Sequence, residues 1–256
     1  MVPSLFIAHG APLLALEDNE YTRFLEGMAK ELPRPQAIVI FSAHWEHPVQ
    51  QVGGAEQYEM IYDFYGFPEE LYRINYPASG DVKLAEEVQS LLQAHGIPSE
   101  LDPVRGLDHG AWVVLRMLYP AADIPVIAMS VNPGLAPRDQ YAIGKALAGL
   151  RERSVLLIGS GGTVHNLRRI EWGSTQPAAW AAAFDDWLSQ RLLAWDTEAL
   201  FDYEEQAPYA KEAVPRNEHF IPLLIAMGAA DDSRTARMLH RSYVYGSLSY
   251  MCWQFG

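Results

Sequence analysis

The sequence has 256 residues, 49% of them hydrophobic, and its 19 Lys and Arg stand against 32 Asp and Glu for a net charge of −13. That length suits one sizeable α/β domain with enough apolar material for a core. The acidic balance, with no run of Lys or Arg to offset it, argues against nucleic-acid backbones and anionic membrane surfaces as partners.

In chain order, the first nine residues lack the basic region and long apolar stretch of a signal peptide. No later apolar run approaches the ~20 residues that span a bilayer. Residues 5–8 form the first predicted strand, and residues 37–42, rich in Ile, Val and Phe, the second. Residues 58–76 are crowded with aromatic side chains, among them Phe64, Tyr65 and Tyr72. Ordinary core packing explains such a segment. The alternative is a pocket wall for a flat aromatic substrate. Residues 81–95 place Val82, Ala85, Val88, Leu91 and Leu92 at helical spacing, with Gly96 as the stop signal. Residues 124–131 and 155–159 are two further strands, and 137–151, 180–195 and 219–230 three further helices. Terminal strands are expected within residues 242–255.

Runs apolar on both faces, alternating with helices, predict a three-layer α/β fold. Its central sheet is mostly parallel or mixed and covered by helices on both sides. No internal repeat or linker divides the chain, so residues 1–256 are read as one domain. The single cysteine, Cys252, has no disulfide partner and is expected to be a small buried hydrophobe, consistent with a reducing cytoplasm.

Eight histidines are present, and their positions matter more than their number. His9 follows the first strand and precedes Gly10-Ala11-Pro12. His44 closes the second strand in Ser42-Ala43-His44-Trp45. His165 follows the fourth strand and Gly159-Ser160-Gly161-Gly162, read as a turn that aims it. Three strands thus each deliver a histidine just past their carboxyl ends, the edge where α/β sheets bind ligands. His109 precedes the apolar run 112–118, and His219 opens an apolar helix. Any one of these alone reads as a hydrogen-bonded polar cap. Five together beside element ends point to a metal site, since neutral imidazole is the commonest metal ligand. His95 is expected in a last helical turn, and His47 and His240 at the surface. No HExxH, paired CxxC or EF-hand pattern occurs. The Gly159–Gly162 segment lacks the Walker lysine, and Ser160 is not in a GxSxG elbow.

Across almost its whole length the sequence resembles the class III extradiol ring-cleavage dioxygenases, particularly the 4,5-DOPA dioxygenase-like subgroup. The likeness is carried by His9-Gly10-Ala11-Pro12, Leu32-Pro33-Arg34-Pro35, Ser42-Ala43-His44-Trp45, Tyr62-Asp63-Phe64-Tyr65-Gly66-Phe67-Pro68, Leu107-Asp108-His109-Gly110, His165-Asn166-Leu167 and Glu218-His219-Phe220-Ile221-Pro222. It implies a non-haem Fe(II) site in which His9 and His44 are ligands. His219 stands where better-known members carry a glutamate ligand. Three imidazoles suit Zn(II) as well as Fe(II). His165 matches the family's acid/base histidine and could also ligate a resting zinc, and His109 matches a second pocket histidine. The resemblance implies a small catechol-type substrate and O2, with Phe64, Tyr65 and Tyr72 as candidate substrate contacts, in a monomer or small homo-oligomer. Two rival readings use the same residues or fold: a zinc hydrolase cleaving an amide or ester, and a non-enzymatic binding module.

Overall fold

A computed structural model describes residues 1–174 and 176–256. In chain order its strands and α-helices are β1 (Ser4–Ala8), α1 (Glu20–Glu31), β2 (Ala37–Glu46), β3 (Gln50–Gly53), α2 (Val82–Ala94), β4 (Ser99–Asp102), α3 (His109–Leu118), β5 (Val126–Val131), α4 (Pro137–Ala146) and β6 (Val155–Gly161). They continue with α5 (Ala179–Leu193), α6 (Thr197–Phe201), α7 (Tyr203–Gln206), α8 (Ala210–Ala213), α9 (Ile221–Gly228), β7 (Ala236–His240), β8 (Tyr243–Val244), β9 (Leu248–Ser249) and β10 (Cys252–Phe255).

Eight strands form one mixed sheet in the order β4-β3-β5-β2-β6-β1-β10-β7. Its centre, β5-β2-β6-β1, is parallel throughout. Antiparallel pairings join β3 to β5 and β10 to β1. The central strands are apolar on both faces because both faces are covered. Leu5, Ile7, Ile38, Ile40, Val126, Ala128, Leu156 and Ile158 pack with residues of α1 and α3. Their alternates Val39, Phe41, Ile127, Met129, Val155 and Leu157 pack with α2, α4 and α9. Phe6 joins Trp253 and Phe255 against α5 and α9. The period-two alternation of the strands therefore divides one sheet between two helical layers, giving the expected three-layer arrangement.

Helix starts follow their side chains. Asp81 and Asp108 cap α2 and α3 by accepting from the N–H groups of Leu84 and Ala111. Asn19 caps α1 in a reciprocal box with Thr22. The four sequence-predicted strands all form, with shifted ends. Strand β2 continues through His44 to Glu46, and its register against β5 breaks between Phe41 and Glu46. The helix expected over 137–151 ends at Ala146 and passes into a 3-10 turn, Ala148–Arg153. The tail strands form as expected. Cys252 is wholly buried in β10, with its sulfur 3.2 Å from the Tyr21 hydroxyl. His95 caps the end of α2. His47 and His240 depart from the expected surface placement and are half-buried. His240 stacks on Phe24 at 4.7 Å, because β7 lays it against α1.

Candidate metal centre and active site

Because β1, β2 and β6 are adjacent and parallel, their carboxyl ends share one edge of the sheet. His9 lies just past β1, His44 near the end of β2, and His165 four residues past β6. His219 arrives from the segment before α9, which packs on the end of β6. The His219 carbonyl accepts from the Gly162 N–H at 2.9 Å. A Cβ at Gly161 would stand 2.1 Å from that same carbonyl oxygen, and one at Gly159 would stand 2.1 Å from the Pro222 carbonyl. Gly159-Ser160-Gly161 is therefore strand, not the turn expected from sequence. Its glycines create the close approach that lets His219 reach the strand ends. Gly10, after His9, has a φ of +62°, and a Cβ there would meet Leu14 and Tyr250.

Five histidine rings converge. The ring centroids of His9 and His44 are 4.9 Å apart, and those of His219 lie 5.2 and 5.0 Å from them. His109 sits 4.0 Å from His44, and His165 stacks parallel on His219 at 3.6 Å. Potential ligand atoms of His9, His44 and His109 fall within 4.8 Å of one another, as do those of His165, Glu218 and His219.

The hydrogen bonds around the rings assign their tautomers. The Ser160 hydroxyl donates to the Gly110 carbonyl, so its oxygen, 3.0 Å from His9 Nδ1, accepts from that nitrogen. Asp63 accepts from His109 Nδ1 at 2.9 Å and from the His109 backbone N–H at 3.0 Å, and it faces His44 Nδ1 at 3.5 Å. Glu218 accepts from His219 Nδ1 at 3.1 Å. With protons on these Nδ1 atoms, the Nε2 lone pairs point inward. His9 and His44 Nε2 stand 3.0 Å apart. At that distance either a proton on one ring or a cation between the two must join them. The separation suits two imidazole nitrogens, each about 2.1 Å from one ion and roughly at right angles. The Nε2 of His219 is buried and makes no hydrogen bond among the described residues. The donor set thus fits a metal ion, with Ser160, Asp63 and Glu218 orienting the rings from behind.

The electrostatics agree. Burial, then repulsion from neighbouring histidines, lowers His44, His165 and His219 from 6.5 to about 3 and holds His9 well below its ordinary value. All four are neutral near pH 7, the form that ligates metals. Burial alone would raise Asp63, but hydrogen bonds from His109 outweigh it and lower the carboxyl to about 2.

The cluster forms the floor of a cavity of about 430 Å³. His9, His44, His109 and His165 line it, and His219 lies beneath. A larger open groove of about 700 Å³, beside Lys30, Arg34 and Arg116, contains none of the histidines.

The match of a whole family to this arrangement decides what it is. The model of the catalytic LigB subunit of aromatic ring-opening dioxygenase matches residues 3–253. The chain belongs to the LigB family. It is 42% identical to a 4,5-DOPA dioxygenase extradiol of Beta vulgaris, over 98% of this chain and 96% of that one. It is 38% identical to the Escherichia coli K12 protein of the same name, over 100% and 95%. The crystal structure of an uncharacterised Escherichia coli K12 protein superposes over the full length of both chains, with a TM-score of 0.86 at 35% identity. The chain is an extradiol ring-opening dioxygenase of the 4,5-DOPA dioxygenase-like subgroup. LigB dioxygenases are metal-dependent, and the histidine cluster could hold the metal. The hydrolase and binding-module readings are not favoured.

Within this LigB site the aromatic candidates separate. Phe64 lines the cavity, its ring 5.9 Å from that of His109. Tyr65 does not: it is 93% exposed, turned outward where Phe64 turns inward. Tyr72 stands behind Phe64, with centroids 5.2 Å apart, and supports it without lining the cavity. Phe67, passed over as a site residue, lines the cavity. Sequence reasoning also missed Asp63 and Ser160 as partners of the histidines. Asp63 had one signal, an isolated acid amid aromatics. Ser160 had none, since only strand pairing brings it to His9. Among the described residues no helix is long and apolar enough to cross a membrane.

Proposed function

We propose that this dioxygenase opens the ring of a small catechol, of the DOPA-like kind that its relatives' names describe, using Fe(II) held by His9, His44 and His219. The observation that carries the ligand assignment is the buried, unpartnered Nε2 of His219, beside two imidazole nitrogens 3.0 Å apart. His109 and His165 line the cavity and can touch substrate, whereas buried His219 is outside its lining. Once bound, the ion supplies Lewis acidity towards the catechol oxygens and an open position for O2.

The residues of the chain do the rest. Neutral His165 accepts a proton from a substrate hydroxyl and later returns it, acting within hydrogen-bonding reach of about 2.6–3.2 Å. Its stacking on His219 fixes the ring plane. His109, its Nδ1 proton committed to Asp63, presents its Nε2 lone pair to the cavity, where it would accept a hydrogen bond from a substrate hydroxyl. Phe64 and Phe67 hold the aromatic ring against the histidine floor. Zinc fits the same three imidazoles in protein purified without added iron.

The test is oxygen uptake and formation of the yellow ring-opened product from catechols by anaerobically prepared protein loaded with Fe(II). Uptake dependent on Fe(II) is expected. His165→Ala should keep its metal by elemental analysis and lose at least a hundredfold in turnover. Loss of metal from that variant makes His165 a ligand and overturns its role as base.

A further inference from the structure

We propose that the open groove beside the last turns of α1 and α3 is a second ligand site, built for a small organic phosphate. It is independent of the histidine cluster and of the ring cleavage.

The groove has a volume of about 700 Å³ and collects three cations from separate places in the chain. Lys30 comes from the last turn of α1, Arg34 from the loop that follows, and Arg116 from the last turn of α3. Arg34 pairs with Asp123 at 2.7 Å through Nη2, which leaves Nε and Nη1 as donors. Lys30 and Arg116 form no ion pair among the described residues, although the chain holds 32 acidic side chains. A helix end favours a cation by itself, but that preference does not gather three around one space. The two glutamates of the lining have other neighbours. Glu17 accepts from the Asn19 amide at 2.9 Å, and Glu26 follows Arg23 on α1 by three residues.

A fourth donor points to a ligand independently. Tyr119 lines the groove and is 7% exposed, and its hydroxyl has no hydrogen-bond partner among the described residues. Burial pushes this hydroxyl up to about 12, against the pull of Arg34, itself a donor. An entering oxyanion would supply the acceptor that the hydroxyl lacks. A phosphate brings three acceptor oxygens and nearly two negative charges, which suits two unpaired cations beside Arg34 and the hydroxyl. Phosphate alone fills little of the space. Leu32, Met117, Leu118 and Pro120 line the groove as well and can take an apolar body. Glu17 also lines the histidine cavity, so the two spaces share a wall without sharing a histidine.

The probe is phenyl phosphate, titrated into the full chain carrying labelled methionine methyls, with the Met117 resonance assigned through Met117→Leu. That resonance should move saturably, with a dissociation constant below about 1 mM. Benzyl alcohol, with a similar ring and no charge, should leave it in place. Lys30→Gln and Arg116→Gln should each weaken binding about tenfold, and Tyr119→Phe, which deletes only the hydroxyl, about threefold, all at unchanged melting temperature. Phenyl phosphate captured in the histidine cavity instead would leave the Met117 resonance still and bind these variants as well as the parent. A Met117 resonance unmoved at about 10 mM phenyl phosphate overturns the site, as do variants that bind as tightly as the parent or benzyl alcohol that binds equally well.

Discussion

At the scale of single residues, the site works by committing protons: three of the five rings have a hydrogen-bond partner at Nδ1, which leaves Nε2 as the lone-pair atom. Ser160 does this for His9, Asp63 for His109 and Glu218 for His219. His219 and His109 make opposite predictions. His219→Ala should lose bound metal by elemental analysis. His109→Ala should retain it and lose turnover. The reverse result would make the His9-His44-His109 group the coordinating triad. The pH response follows from the same rings. Their ordinary value is 6.5, and His44, His165 and His219 are lowered to about 3. A lowered histidine contributes stability that is present above 6.5 and lost as pH falls towards 3. The melting temperature of metal-free protein should therefore drop steadily below pH 6.5, and His44→Asn should flatten the slope. An unchanged slope in that variant would assign the acid sensitivity to other groups. The five histidines were legible because each sits beside an element end. Their partners were not, because Ser160 meets His9 across 151 positions of sequence.

At the scale of elements, the decisive contact is strand β6 against the start of α9. Gly161→Ala would place a methyl 2.1 Å from the His219 carbonyl oxygen. Overpacking of this kind costs about 1–3 kcal/mol. It should also displace His219, so chelator competition should show weaker metal binding together with a lowered melting temperature. A variant that lost stability but held metal as tightly would show that His219 position is set elsewhere. Buried Asp185 plays a comparable part for the cavity wall by accepting from the hydroxyls of Tyr243 and Ser249 on β8 and β9. The long apolar strands were readable because burial on both faces leaves an unbroken apolar run. Strands β3 and β4 were not, because Gln50-Gln51 and Ser99-Glu100 carry no such run. Helix α1 did leave a signal, with Asn19 as cap and Tyr21, Leu25 and Met28 buried at helical spacing.

At the scale of the whole molecule, topology explains why no local metal motif exists. The three strands that deliver His44, His165 and His9 are immediate neighbours, β2-β6-β1, although β6 follows β2 by more than a hundred residues. Sequence could place each histidine at a strand end, but strand order is a long-range property that short patterns do not carry. The molecule-wide charge of −13 has its own signature. Raising ionic strength from 10 mM to about 150 mM shortens the screening length from ~30 to ~8 Å. The kcat/KM for dopamine should fall with added salt, and that for an anionic catechol should rise. Equal responses would show that the field does not steer substrate.

The last strand of the sheet has a kinetic consequence. β10 pairs residues 252–255 with residues 4–7 and separates β1 from β7, and the β8–β9 hairpin just before it lines the cavity. The strand that presents His9 therefore gains its second neighbour only when the two ends of the sequence meet. Contacts of such high order form late and slowly. On refolding, the parallel centre can assemble first, and the capacity to grip metal and enclose a catechol should return together in the slowest phase.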